Sequence, residues 1–114
     1  PLIHIQPSAP PPADPAGLQR LLSRDLASWL DKPERYVMTL LETDLAMSFG
    51  GDSAPCAYVQ IRSIGNLDGD RPRRISADLS ARLERHLNVN AGRIYVSFDD
   101  VPGRLWGWNG STFG

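Results

Sequence analysis

The chain has 114 residues, of which 41% are hydrophobic and 22% charged, and this length and composition predict a single globular domain over residues 1–114. Its formal net charge of −1 gives no electrostatic argument for nucleic acid or an anionic membrane as a partner. No apolar run could span a bilayer, no secretory signal is visible, and the lone cysteine excludes an internal disulfide, which together favour a cytoplasmic location, while secretion by a route without a signal peptide stays open.

The first residue is proline, and at a mature terminus Pro1 would carry a free secondary amine. Such an amine has a pKa of about 7.7–8.0, which burial or a nearby cation lowers towards neutrality. A base with a pKa near the working pH suits general acid–base catalysis. The alternative is an idle proline left after removal of an initiator methionine. Residues 2–5 predict a strand that would hold Pro1 in a sheet, so we treat Pro1 as a candidate base.

A proline-rich segment over residues 7–15 follows, and we interpret it as a stiff loop, with a PxxP ligand as the alternative. Asp14 followed by Pro15 is typical of a helix start. Apolar residues at helical spacing then predict a helix of about fifteen residues that Pro33 ends. They are Leu18, Leu21, Leu22, Leu26, Trp29 and Leu30. Residues 36–41 predict the second strand.

The second half repeats this order. Residues 50–53 predict a turn, the alternating residues 57–62 a strand, and residues 66–70 a loop. A second helix is predicted from an apolar stripe of Ile75, Leu79, Leu83 and Leu87. Residues 93–98 predict the last main strand, and the tail over residues 106–113 is aromatic and glycine-rich.

The order β-α-β-β-α-β predicts an α+β fold in which two right-handed βαβ units form one four-stranded sheet with both helices on one face. We expect the other face to be apolar too, through Met38, Leu40, Tyr58, Val59 or their neighbours. A chain of this length has nothing left to cover that face, so we expect a subunit contact there.

Several segments, in this order along the whole chain, resemble the macrophage migration inhibitory factor (MIF) family of the tautomerase superfamily. They are Pro1 and residues 32–33, 47–51, 55–57, 63–65, 93–96 and 107–113. The resemblance implies a mixed four-stranded sheet with a short additional C-terminal strand. It also implies a homotrimer whose sheets line a central barrel and whose three active sites lie between subunits.

The activity that the resemblance implies is a keto–enol isomerisation without a cofactor. Its substrates would be aromatic α-keto acids such as phenylpyruvate, and dopachrome-like compounds, with Pro1 as the base. Lys32 would bind the substrate carboxylate, polarise the enol oxygen and lower the pKa of Pro1. The alternative for Lys32 is a cation that stabilises a helix C-terminus. His4 and His86 are isolated, so we expect no metal site.

Further substrate-binding residues follow from the same resemblance. The backbone N–H of Ile64 resembles the donor to the substrate carboxylate, and Tyr95 resembles a pocket tyrosine that the neighbouring subunit contributes. A tyrosine packed in the core is the alternative for Tyr95. Leu2 would help to desolvate Pro1. The apolar wall for an aromatic ring would consist of Tyr36, Trp106, Trp108 and Phe113, with interface packing as their alternative role.

Three of these positions depart from the family pattern. Ser97 stands where asparagine is common, Trp106 where a small aliphatic residue is common, and Arg62 where histidine is common. Serine is shorter than asparagine, the indole could narrow the mouth of the site, and a guanidinium that points inward would favour carboxylates. We expect these changes to affect the substrate more than the mechanism.

Two other functions stay open. A cytokine-like, receptor-binding protein with vestigial catalysis has less support, because Pro11 replaces an arginine of the motif that receptor-binding relatives use, although Asp44 remains. Another Pro1 chemistry, such as dehalogenation by hydration or decarboxylation, would need nearby arginines and an acid to activate water. Arg62 and Asp99 are the candidates for those two roles.

Overall fold

A computed structural model describes every residue from Pro1 to Gly114, and its elements follow the predicted order. They are β1 (Leu2–Pro7), α1 (Pro15–Leu30), β2 (Met38–Leu41), β3 (Ala57–Ser63), α2 (Arg71–Leu87), β4 (Ile94–Asp100), β5 (Gly107–Trp108) and β6 (Ser111–Thr112). The main sheet has the order β2-β1-β3-β4. β1 runs parallel to β2 and antiparallel to β3, and β3 runs parallel to β4. The predicted mixed four-stranded sheet with two helices is therefore confirmed.

The start of α1 has the predicted cap. The Asp14 side chain accepts a hydrogen bond of 3.0 Å from the backbone N–H of Gly17, and Pro15 occupies the first turn. Proline is tolerated there because its missing N–H would have had no partner within the helix. These two residues fix where the stiff loop ends and the helix begins.

The end of α1 brings Lys32 out of the helix. The helix stops at Leu30, before Pro33, because Asp31 adopts a left-handed backbone with φ of 53°. The N–H of Lys32 then closes the last turn on the carbonyl oxygen of Ala27, at 2.9 Å. The left-handed residue, and not Pro33, therefore ends the helix and sets the direction in which Lys32 leaves it.

The core lies between the two helices and one face of the sheet. It contains the whole predicted stripe of α2 and, from the predicted stripe of α1, Leu18, Leu22, Leu26 and Leu30, together with the inward-facing residues of the central strands. Trp29 packs against this core, but Leu21 does not belong to it. The largest contributors are Ile3, Ile5, Leu22, Leu26, Leu30, Val59, Ile61, Ile75, Leu79 and Leu83. Each such side chain contributes about 1.5–3 kcal/mol on burial. This packing anchors α1 to the back of the sheet.

We call the side of the sheet that the helices leave uncovered the open face. Its residues are Leu2, His4, Gln6, Met38, Leu40, Tyr58, Gln60, Arg62, Tyr95, Ser97 and Asp99. The prediction that Val59 belongs to it was wrong, because β3 alternates and buries Val59 with Ile61 against the helices. The open face is therefore mixed and not uniformly apolar; exposed Met38 (65%) and Tyr95 (66%) lie on its two outer strands.

Both outer strands begin later than predicted. Residues 34–36 and 91–93 form 3₁₀ turns, so Tyr36 lies before β2 and not in it. Each turn follows a helix that ends on a left-handed residue, Asp31 or Asn88. The two halves of the chain thus share a helix end, a 3₁₀ turn and a strand start.

The C-terminal tail forms a hairpin and not the single short strand expected. β5 and β6 pair antiparallel around Asn109 and Gly110, which both have positive φ, 50° and 79°. Asn-Gly is the dipeptide preferred where both turn residues need positive φ.

A helix that spans a membrane must be both long and apolar. Neither α1 nor α2 combines the length and the apolar character that crossing a bilayer needs.

Arg93 stabilises the loop between β2 and β3 through hydrogen bonds. Its guanidinium donates to the carbonyl oxygens of Pro55 (3.0 Å), Asp52 (3.0 Å) and Ala54 (2.9 Å), and lies 5.4 Å from the centre of the Phe49 ring. A planar donor with five N–H groups can bind several carbonyls at once. The Arg93 side chain therefore anchors this loop to the start of β4.

We expect Arg93→Ala to lower the free energy of unfolding by about 2 kcal/mol, because three carbonyl oxygens lose a charged donor. Urea unfolding followed by tryptophan fluorescence would measure the loss. Arg85→Ala removes an exposed arginine of α2 and serves as the control. Equal stability of the two variants would contradict this role for Arg93.

Candidate active site

Pro1 directly precedes the central strand β1. Its carbonyl oxygen accepts a hydrogen bond of 2.9 Å from the N–H of Met38 on β2. The terminal amino group is partly buried, and its pKa lies below the ordinary value of 8.0, first because burial disfavours the ammonium and second because Lys32 repels it. Folding therefore shifts this amine towards its neutral, proton-accepting form.

Lys32 lies two residues after the end of α1 and close enough to Pro1 to lower the pKa of its amine. Its Nζ donates a hydrogen bond of 2.7 Å to the carbonyl oxygen of Ile64, in the loop after β3. This bond ties the helix end to the sheet and holds the ammonium where it acts on Pro1. A fixed cation beside a neutral amine can stabilise an oxygen that gains negative charge.

A cavity of about 760 Å³ opens at this end of the sheet. A volume of this size accommodates a small organic molecule. All but two of the predicted site residues line it, namely Pro1, Leu2, Lys32, Tyr36, Arg62, Ile64, Trp106, Trp108 and Phe113. They come from the start of β1, the turn after α1, the end of β3 and the tail, which are distant in sequence. The fold thus brings the terminal amine, a lysine and several aromatic rings together in one cavity.

Three aromatic rings form one side of the cavity, and we call Tyr36, Trp108 and Phe113 the aromatic cluster. The Tyr36 ring meets Trp108 edge-on at 5.4 Å and Phe113 edge-on at 5.7 Å. Trp108 and Phe113 stack at 5.7 Å with an angle of 11° between their planes. Because the hairpin carries Trp108 and precedes Phe113, its Asn-Gly turn helps to place this cluster.

Arg62 reaches the cavity from the open face. It lies opposite Leu2 in the β1–β3 register, and its Nε is 3.8 Å from Oδ2 of Asp99. The same Asp99 oxygen accepts a hydrogen bond of 2.7 Å from Gln60. Part of the Arg62 charge is therefore already balanced by a carboxylate.

Tyr95 and Ser97 do not line the cavity of their own chain. Tyr95 packs its ring on Phe49, at 4.9 Å, and remains mostly exposed on β4. The Ser97 hydroxyl is 2.6 Å from that of Tyr58. One chain alone therefore does not unite these two residues with Pro1.

The structure adds lining residues that the sequence did not suggest. They are Pro33, Arg35, Val37, Met38, Val101, Leu105 and Gly107. Met38 could have been inferred, because a parallel β1–β2 pair starting at these residues sets it beside Leu2. Arg35 gave no signal in the sequence, since an arginine within an exposed turn is ordinary. No carboxylate belongs to the cavity lining.

Comparison with known proteins places the chain in a family. A family model described as macrophage migration inhibitory factor (MIF) matches residues 1–114. The macrophage migration inhibitory factor of Meriones unguiculatus is 34% identical over 113 residues, which are 99% of this chain and 98% of that protein.

Solved structures agree with this assignment. The macrophage migration inhibitory factor homologue from Prochlorococcus marinus is 51% identical, with a TM-score of 0.98 and full coverage of both chains. The macrophage migration inhibitory factor of Toxoplasma gondii is 34% identical, with a TM-score of 0.93 over 99% of this chain and 100% of that one. With its mixed sheet and its full-length match, the chain belongs to the MIF family and has the tautomerase superfamily fold.

Proposed function

We propose that this protein is a cofactor-independent tautomerase that interconverts the keto and enol forms of aromatic α-keto acids such as phenylpyruvate, and of dopachrome-like compounds. Membership of the MIF family supports a tautomerase or MIF-like function in general. The observation that carries the specific proposal is the Pro1 amine, which lines an aromatic cavity and has a pKa lowered by burial and by Lys32.

The proposed reaction moves one proton between carbon and oxygen. The neutral Pro1 nitrogen takes a proton from the carbon next to the keto group, and the electron pair of that C–H bond moves into the new C=C bond. The electron pair of the C=O π bond moves onto the keto oxygen, which then takes the proton back from the Pro1 ammonium, and this gives the enol and restores the neutral amine. In the reverse direction the ammonium of Pro1 returns a proton to carbon. One amine serves both directions only when its pKa is near neutral.

Lys32 would carry the electrostatic part of the reaction. Its ammonium is held by the Ile64 carbonyl close enough to Pro1 to lower the pKa of that amine. The same charge would bind the substrate carboxylate and stabilise the oxygen that becomes negative. The N–H of Ile64 is the second proposed donor to the carboxylate. Leu2 would keep water from the amine, and the aromatic cluster with Trp106 would hold the substrate ring.

The composition of the cavity favours isomerisation over water-adding chemistry at Pro1. Water-adding chemistry at Pro1 would use an acidic residue to activate the water, and the part of the cavity that one chain lines contains no carboxylate. Asp99 is the acid that such a reaction would use, but its Oδ2 is engaged by Gln60 and Arg62. Tautomerisation needs only one proton-transferring group and one cation.

The role of Pro1 predicts that capping it abolishes catalysis. A methionine retained before Pro1, or acetylation of Pro1, turns the amine into an amide, so we expect phenylpyruvate turnover to fall by at least about 100-fold. Ultraviolet absorbance of the enol would measure the rate, and mass spectrometry would establish the terminus. A chain freed from a cleavable leader at Pro1 is the control. Undiminished turnover by the capped chain would contradict the proposal.

The role of Lys32 predicts a shift in the pH profile. Activity requires neutral Pro1, so kcat/KM falls as the pH drops through the pKa of this amine, which lies below 8.0. In Lys32→Gln the repulsion is lost while the burial remains. We therefore expect the acidic limb to move to higher pH without reaching the position of a fully exposed amine. Arg85→Gln removes the same charge from α2 and should leave the limb in place; an unmoved limb in Lys32→Gln would exclude the coupling.

We also propose that the protein acts as a homotrimer whose active sites lie between subunits. The exposed Met38 and Tyr95 on the two outer strands support a contact there, and Tyr95 and Ser97 are proposed to complete the site of the neighbouring subunit. Sedimentation should give about three times the 12.6 kDa chain mass.

An intersubunit site predicts complementation between two defective variants. Tyr95→Ala should lower kcat/KM by about tenfold or more, although Tyr95 is absent from its own chain's cavity lining. Refolding Tyr95→Ala together with Pro1→Gly should restore activity above that of either variant alone. In mixed trimers, some sites combine an intact Pro1 with an intact Tyr95. No recovery above the parents would place the whole site within one chain.

A further inference from the structure

Arg35 differs from the other cations of the cavity lining because its charge has no partner. Lys32 donates to the Ile64 carbonyl, and Arg62 lies 3.8 Å from the Asp99 carboxylate. Arg35 takes part in none of the ion pairs of the molecule. Since the lining holds no carboxylate, the positive charge of Arg35 at the cavity is unbalanced.

The Arg35 guanidinium packs against the Tyr36 ring of the aromatic cluster. Its Cζ atom lies 4.8 Å from the centre of the Tyr36 ring, and that ring contacts Trp108 and Phe113 edge-on. A guanidinium over an aromatic face is held by the ring quadrupole and keeps its N–H groups free for other acceptors. Lys32, in contrast, lies next to Pro1. Of the three cations in the cavity lining, Lys32, Arg35 and Arg62, Arg35 is the one whose guanidinium lies over a ring of the aromatic cluster.

We propose that Arg35 binds a second anionic group of the substrate, so that the site selects aromatic α-keto acids whose ring carries an acidic substituent. This inference rests on the proposed tautomerase function. The α-keto acid end of the substrate meets Pro1 and Lys32, its ring packs on the aromatic cluster, and the ring substituent reaches Arg35. A guanidinium binds a carboxylate through two parallel hydrogen bonds, which a neutral substituent cannot match.

The kinetic test compares two ring substituents of nearly equal size. The substrates are phenylpyruvate with a carboxylate at the para position and phenylpyruvate with a carboxamide there. We expect the wild-type protein to favour the carboxylate, and Arg35→Gln to lower the carboxylate-to-carboxamide ratio of kcat/KM by about three- to tenfold, mainly through KM. Arg35→Lys should keep part of the preference. The control, Arg85→Gln, removes an exposed arginine of α2 and should leave the ratio unchanged.

A binding measurement separates this inference from the proposed function. 3-(4-Carboxyphenyl)propanoate and 3-(4-carbamoylphenyl)propanoate cannot enolise to the substrate enol, and quenching of Trp106 and Trp108 fluorescence reports their binding. A wild-type preference for the diacid that Arg35→Gln removes would support the inference. If that preference appears but phenylpyruvate is not turned over, the proposed function alone fails. Equal binding of the two acids by the wild-type protein, or a preference that survives in Arg35→Gln, would overturn the role of Arg35 whatever the turnover.

Discussion

The hydrogen-bond ladders on both sides of β1 are the constraint on which the site depends. The first residues of a chain usually fray, but here the chain enters the middle of a sheet at its second residue. Leu2 is paired with Met38 on one side and Arg62 on the other, and the Pro1 carbonyl accepts from Met38. The amine at the end of this strand therefore has a fixed position, which a base needs before its pKa matters.

Burial and charge act on that amine in the same direction, and burial is the larger cause. Burial therefore lowers the pKa of Pro1 more than Lys32 does, and the same Lys32 charge is the one proposed to act on the substrate. The left-handed Asp31 makes this arrangement possible, because it turns Lys32 out of α1 towards the Ile64 carbonyl. A helix continued to Pro33 would have carried the lysine along the helix axis instead. The cap of α1 thus helps to place a residue that we propose for catalysis.

The sequence predicted the parts of this structure that local patterns encode. Leucines at helical spacing gave both helices, and alternation gave the central strands, because burial on one face imposes those periods. Alternation alone did not tell which face of β3 is covered, so Val59 was assigned to the wrong side. The candidate roles of Pro1 and Lys32 came from residue chemistry together with the family resemblance. Arg35 was missed because the direction of an exposed side chain depends on the Tyr36 ring beside it, which no periodicity reveals.

The mixed character of the open face changes the physical argument for a trimer. A uniformly apolar face would have to be covered by another apolar surface, whereas β3 and β4 carry polar groups on this face that already pair with one another across the two strands. Gln60 donates to Asp99, and the Tyr58 and Ser97 hydroxyls lie within hydrogen-bond distance. Groups satisfied in this way lose little when other subunits surround them, and they tolerate water as readily. The exposed apolar side chains of this face are Met38 and Leu40 on the outer strand β2 and Tyr95 on the outer strand β4. Subunits that met along these edges would bury the apolar residues and leave a polar interior, and the edge contact would carry Tyr95 towards the Pro1 cavity of the next chain.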